Sequence, residues 1–575
     1  MPRAMPTVYT SRGHNHVYDG GPNLIVAASN ASGIAQAAAT YHAGGTADDV
    51  DINAAIAAAG AGRVELTEGP FSVVNNIEFP LPTNGYVLQG QGKEATQIQT
   101  STAGLNVLEM HGAGGAIVSA NYQRRCSVRD LAIVGIGASP VNSVGLSLYY
   151  ADAGDFANLW IKNFYTGLKS DASFDHDWHG IWVEDCGHAA SGSPAVLLTG
   201  NAEASGANSN NHRFFGLRIE RFNYRALEIL TDATGGPSSH NRFYGLKVHG
   251  DDGASNADGI YLDSMFCVFQ DLSLDQLGDA NTGLIIASQG DHNQISNLVF
   301  SKQTANIVVD IQAGAAYNII QGLTAHGQTT SPVSDIITGV LLVAGSDNVI
   351  SGVTCQYVAG YGMKVSGSRN QVANCKLSAQ GQGLWVTGNN NEFTNVSPFW
   401  AGLDGGGAAV VAGDSNRFFA GKVSGTGGKT MDFSGDNNLT VGTVVDTLLI
   451  DTGVGNVFVG VAGGGAKVAN LIADPGDAGA IPVTNIYPSS VPLVTAGAET
   501  RTLAAPSYAG QELTLYCKTF VGNCVVTCTT TVNEAGNNTI TFTATGQACR
   551  LFAVEEGSTL RWRLASVDGA ALSTV

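Results

Sequence analysis

The sequence predicts an all-β chain: a right-handed, single-stranded parallel β-helix over residues 41–465, with an N-terminal capping helix and a small C-terminal β-sandwich or barrel domain. Three observations predict it. Segments opened by Asn recur ten times in one register. Within them apolar residues alternate with polar ones, the period of a strand with one buried face. Gly is abundant, at 74 of 575 residues, while hydrophobic residues still make up 44%, so turns are frequent without loss of core-forming side chains.

Taken in order, residues 1–40 are Ala- and Gly-rich without a clear period and read as a leader, with virion attachment as one expected role. The stretch MPRAMPTVYTSRGHNH has no apolar run, so no secretory signal is expected, and no segment approaches the ~18 apolar residues of a membrane helix. A solenoid end exposes core and needs a cap. Residues 48–60, Asp48-Asp-Val-Asp-Ile-Asn-Ala-Ala-Ile-Ala-Ala-Ala-Gly60, supply one. Asp residues serve as the N-cap, Ile52, Ala55, Ile56 and Ala59 share one face, and Gly60 ends the helix. Strand-turn units follow at Arg63-Val-Glu-Leu, Gly69-Pro-Phe-Ser-Val and Tyr86-Val-Leu-Gln-Gly-Gln-Gly92. The run GTADDVDINAAIAAAGAGRVELTEGPFSV followed by YVLQGQG resembles the N-terminal entry of the pectate-lyase-like superfamily, within it most closely β-helix proteins of bacteriophage virions. The resemblance implies the fold and a tail spike or tail fibre setting. It leaves the chemistry open, because one fold hosts lyases, hydrolases, epimerases and non-enzymes.

The repeat follows. Its anchors are Asn211, Asn241, Asn293, Asn318, Asn348, Asn370, Asn391, Asn416, Asn438 and Asn456, each opening Asn, x, apolar, x, small, apolar, x, apolar. One coil, Met265 to Asp275, lacks the Asn. Asn at a coil corner is expected to tolerate left-handed geometry and to bond the next Asn along the stack. Short strands cannot bury themselves, but stacked coils build a continuous core. Residues 466–490, including Ala473-Asp-Pro-Gly-Asp-Ala-Gly, read as a linker. Residues 491–575 read as a β domain that resembles the small C-terminal domains of phage tail and fibre proteins, which implies capping or trimerisation. A homotrimer is expected on that ground.

Charge excludes several classes. The formal net charge is −19, with 28 Lys and Arg against 47 Asp and Glu, so nucleic-acid binding is not expected, nor is membrane insertion. Gly90-Gln-Gly92 and the glycines near Leu403 are coil turns rather than phosphate loops, and no cofactor is expected. Nine Cys read as buried small hydrophobes, with a disulfide or a zinc site among Cys517, Cys524, Cys528 and Cys549 as alternatives.

Stacking turns sequence into surface. Aligning Asn158–Lys162, Gly180–Glu184, Gly216–Glu220, Gly245–His249 and Asp271–Asp275 gives one outward column of Trp160, Trp182, Arg218, Lys247 and Ser273. The next column is Lys162, Glu184, Glu220, His249 and Asp275. Such a face suits a polysaccharide: aromatic planes for sugar rings, charged groups for hydroxyls and uronates, and paired carboxylates for acid and base work. Candidate catalytic residues are therefore Glu184, Glu220, Asp275 and His249. Candidate binding residues are Trp160, Trp182, Arg218, Lys247, Asp251 and Asp252. Arg218 and Lys247 are alternative bases for lyase chemistry. The turn Asp175-His-Asp-Trp-His179 reads as a polar corner rather than a metal site. Mixed charge is also what an ordinary solvated strand face carries. Three functions stay open: a virion spike or fibre that binds host surface polysaccharide, with or without depolymerising it, beside other tail proteins; a free extracellular lyase or hydrolase; and a purely structural virion fibre.

Overall fold

A computed structural model describes residues 22–79, 85–113, 122–137, 141–200, 208–232, 236–250, 258–275, 277, 281–301, 307–326, 338–400, 407–425, 431–446, 449–459, 461, 470–483, 489–533 and 536–574. The chain divides into two compact units, residues 1–309 and 310–575.

In the first unit, alternating apolar residues build a parallel β-helix from two stacks of strands. One stack runs Asn23–Ala27, Arg63–Leu66, Val87–Gln89, Ser127–Gly135 and Asp155–Lys162, each parallel to the next. It continues as split strands: Asp177–His179 with Trp182–Glu184, Arg213–Phe215 with Arg218–Glu220, Arg242–Tyr244 with Lys247–His249, and Val268–Gln270 with Ser273–Asp275. The split recurs because the residue at the bend is left-handed in every coil: Asn158, Gly180, Gly216, Gly245, Asp271 and Asn297 have φ between 51° and 70°. Gly, Asn and Asp are the residues that adopt this conformation at least cost. The other stack includes Asn106–His111, Val144–Tyr149, Thr166–Asp171, Val196–Thr199, Arg225–Asp232 and Asp258–Asp263.

The core between the stacks is layered. Phe156, Trp178, Phe214, Phe243 and Phe269 occupy one inward column with centroid spacings of 4.1, 5.3, 4.8 and 4.7 Å. Helix Asp49–Ala59 packs the predicted face, Ile52, Ala55, Ile56 and Ala59, against the first strands. Asp48 stands at its N-cap position, but its carboxylate accepts from the backbone N–H of Gly45 and of Ser72, each at 2.7 Å, instead of from the helix. The expected leader contributes structure from Asn23 onward: Asn23–Ala27 is a strand, and its Val26 and Ala27 are both fully buried.

The second unit holds a further run of parallel coils. One stack runs Ile319–His326, Val349–Ser351, Gln371–Ala379, Glu392–Trp400, Arg417–Gly425, Leu439–Val445 and Val457–Val459. The Asn anchors form a buried ladder. The backbone N–H groups of Asn318, Asn348, Asn370, Asn391, Asn416 and Asn438 each donate to the Oδ1 of the next anchor at 2.7–2.9 Å. The left-handed residue in these coils is the one before the anchor rather than the expected anchor itself: Tyr317, Asp347, Arg369, Asn390, Ser415 and Asn437 all have φ of 57–59°. A second ladder accompanies it. A Cβ on Gly367, Gly388, Gly413, Gly435 or Gly453 would come within 1.8–2.1 Å of the carbonyl oxygen of the preceding glycine in the series.

The C-terminal part of this unit is two five-stranded sheets. Residues read as a linker belong to it: Asn470–Leu471 pairs with Ser489–Val494, and Gly479–Ile481 pairs with Glu499–Leu503. The chain crosses alternately between the two sheets in parallel pairings up to Cys524–Cys528, then turns antiparallel. Asp474 is tied into the fold by fully buried Arg501, which donates to it at 2.7 and 3.0 Å and to Glu499 at 2.7 Å. All nine cysteines are buried and unpaired.

Candidate functional site

The candidate residues lie in the first unit, where strand register decides what is adjacent. Trp160 pairs with Trp182, Trp182 with Arg218, Arg218 with Lys247 and Lys247 with Ser273. Lys162 pairs with Glu184, Glu184 with Glu220, Glu220 with His249 and His249 with Asp275. No coil separates Glu184 from Glu220, since Val196–Thr199 belongs to the other stack. Between these columns Ile161, Val183, Ile219, Val248 and Leu274 point inward and are fully buried.

The upper part of this face is closed by its own contacts. Trp160 and Trp182 stack at 5.1 Å, with Lys162 over Trp160 at 5.3 Å. Arg218 lies over Trp182 at 4.9 Å and Lys93 at 5.5 Å. The indole faces expected to receive sugar rings are thus occupied by each other and by cations, which aromatic faces attract. Glu184 is only 3% exposed. It accepts from Trp160 Nε1 at 2.7 Å, faces Lys162 Nζ at 3.6 Å and pairs with Arg221. Glu220 is 5% exposed and accepts from Arg218 Nε at 2.5 Å. Both carboxylates engage cations rather than open surface, and Arg218 is committed to Glu220 and Trp182.

The lower part is open. His249 Nδ1 lies 3.3 Å from Asp275 Oδ2, with side chains 26% and 24% exposed. Lys247 is partly exposed. Asp251 and Asp252 lie outside the described residues.

The turn Asp175–His179 is not a polar corner. His176 and Trp178 are fully buried, while Asp177 and His179 face outward on the strand between them. His176 takes the ladder position, its Nδ1 accepting from the Gly154 N–H at 2.7 Å, and burial pulls its imidazole down to about 3. The expected anchor Asn211 is itself left-handed, and His212 fills the ladder position, donating its backbone N–H to Asn241 Oδ1 at 3.0 Å. Cys267 does the same in the coil without Asn, donating to Asn293 at 2.8 Å.

A second outward rib, outside the two predicted columns, runs along the first half of the split strands. His179, Phe215 and Tyr244 stack in register at 4.9 and 5.1 Å. Beside them run Asp177, Arg213 and Arg242, with Arg213 bidentate on Asp177 at 2.5 and 2.8 Å. The same alternation is readable one and three residues before each of the motifs that start at Gly180, Gly216 and Gly245.

No protein-family model matches the chain, and no curated protein matches it. Among solved structures it is similar to ORF18 of Geobacillus virus E2, with 23% identity and a TM-score of 0.43 over 49% of this chain and 55% of that one. It is similar to tailspike protein 3 of bacteriophage CBA120, with 13% identity and a TM-score of 0.39 over 75% of this chain and 61% of that one. A third is the catalytic unit of a GH87 α-1,3-glucanase from Streptomyces thermodiastaticus, with 13% identity and a TM-score of 0.31 over 74% and 66%. The chain spans between 55% and 66% of the lengths of these three.

Proposed function

We propose that this chain is a virion spike or fibre protein that binds host surface polysaccharide through the outward face of its first unit. The observation that carries the proposal is the register that places Lys247, His249 and Asp275 on adjacent strands beneath a set of aromatic and ion-paired side chains. That upper network fixes the rotamers bordering the open part, as a preorganised binding face requires. The entry motif at residues 45–92 supports the virion setting through its resemblance to phage β-helix proteins. The homotrimer belongs to the same proposal. Light scattering is expected to give three times the chain mass, and a monomer mass contradicts it.

The test of function is retention of surface polysaccharide from a panel of bacteria. Lys247→Ala and His249→Ala are expected to weaken retention about tenfold each, and equal retention by both variants removes the proposal.

Cleavage is a second reading, favoured by the partly exposed His249–Asp275 contact. Glu220 and Asp275 are two strands apart, about 9.6 Å between backbones, just beyond the ~6.5–9.5 Å between the carboxyl groups of inverting hydrolases, and the reading requires Glu220 to release Arg218. Mass spectrometry is then expected to find oligosaccharides released by the native chain and none by Asp275→Asn.

A further inference from the structure

Cations of this face on the three coils immediately before Arg242–His249 already have carboxylate partners. Arg213 is bound to Asp177, Arg218 to Glu220, and Arg221 to Asp185 at 2.8 Å and to Glu184. Lys162 lies between Glu184 and Asp185, at 3.6 and 3.3 Å. The next coil breaks this pattern. Arg242 is exposed, and its register neighbours are Arg213, already committed, and Val268. Lys247 has Arg218, also committed, on one side and Ser273 on the other. Among the described residues no carboxylate pairs with either cation, and the nearby carboxylate of Asp275 is turned to His249.

Two cations on one coil with no carboxylate partner among the described residues are conspicuous in a chain of net charge −19. They flank Tyr244, where the aromatic rib ends: Phe215 covers one face of the ring at 5.1 Å, and the next residue in the column is exposed Gln270. Arg242 and Lys247 are five residues apart, so their backbones are at most about 17 Å from each other.

We infer that the coil Arg242–His249 is a subsite for the carboxylates of an acidic polysaccharide. The inference rests on the polysaccharide-binding reading above and names the class of glycan. The Arg242 guanidinium offers a planar fork that receives a carboxylate through two parallel N–H donors. Lys247 supplies a point charge for a second acidic group. Tyr244, stacked on Phe215 on one side, offers its ring to the apolar side of the intervening sugar, and Gln270 beside it offers an amide to the sugar hydroxyls. A neutral glycan has no group to compensate these cations. For an acidic one, the two contacts offset the repulsion of the acidic surface around them.

The test uses the full chain against a panel of acidic and neutral bacterial surface polysaccharides, each in native form and after chemical reduction of its carboxylates to alcohols. The expected result is binding of an acidic member, a loss of at least tenfold on carboxyl reduction, and a similar loss in Arg242→Gln/Lys247→Gln. Binding of the native polymer should also weaken as salt is raised. Both substitutions lie on the surface, so an unchanged melting temperature shows that the variant is folded. Binding that survives carboxyl reduction, or that selects neutral members, overturns this inference and leaves polysaccharide binding standing. Binding of no member overturns both.

Discussion

Trp160 donates its indole N–H to Glu184, 2.7 Å away on the adjacent coil, and so converts a candidate catalytic carboxylate into part of the wall. Lys162 and Arg221 complete the enclosure. Glu184→Gln should therefore act on stability rather than on glycan handling. Removing the charge takes one of two carboxylates from Lys162 and Arg221, which keep Asp185, and this places the loss at about 1–2 kcal/mol, below the range for fully buried pairs. Chemical denaturation checks the loss, and polysaccharide retention within twofold of the native chain checks the assignment.

The glycine ladder makes a sharper prediction. Gly388→Ala puts a methyl group 1.8 Å from the Gly367 carbonyl oxygen, with backbone on the other coil that cannot rotate away. The expected cost is about 3 kcal/mol, at the upper end for overpacking. Asn391→Ala removes the acceptor for the Asn370 N–H and leaves it buried, at an expected cost of about 2 kcal/mol. Hydrogen exchange at Asn370 should rise in both variants.

Acid should weaken the first unit. His176 is held to about 3 by burial, and His212 well below its usual range by burial and by His176 beside it. Both stay neutral in the fold, while the unfolded chain protonates them below about pH 6.5. The unfolded state then binds more protons between roughly pH 6.5 and 3, so stability falls as pH falls through that window, by on the order of 1 kcal/mol per unit for each histidine. The double variant His176→Asn/His212→Asn places the ladder residue of the other coils at both sites. Its melting temperature should drop less than that of the native chain between pH 7 and pH 4.5.

Particular residues show where the sequence was readable. The register of Trp160, Trp182, Arg218 and Lys247 was legible because a strand has a period of two and the bend residue marks each coil. The helix face of Ile52, Ala55, Ile56 and Ala59 was legible for a similar reason. The burial of Glu184 was not, because it depends on Arg221 and on where the Trp160 ring turns, neither of which periodicity encodes. His176 was hidden by its own composition: His-Asp-Trp-His looks like a polar turn, yet alternation sends His176 and Trp178 inward. The C-terminal segment around Asp474 looked like a linker because its Gly and Pro content does not reveal that Arg501 anchors it.

The central claim is that one face of the first unit, centred on the coil Arg242–His249, holds the glycan. Hydrogen exchange of the full chain, with and without a polysaccharide it retains, tests this most directly. Protection confined to the strands Arg218–Glu220, Arg242–Tyr244, Lys247–His249 and Ser273–Asp275 is the predicted result. Protection confined to the second unit, or to the opposite stack at Arg225–Asp232 and Asp258–Asp263, would contradict the account.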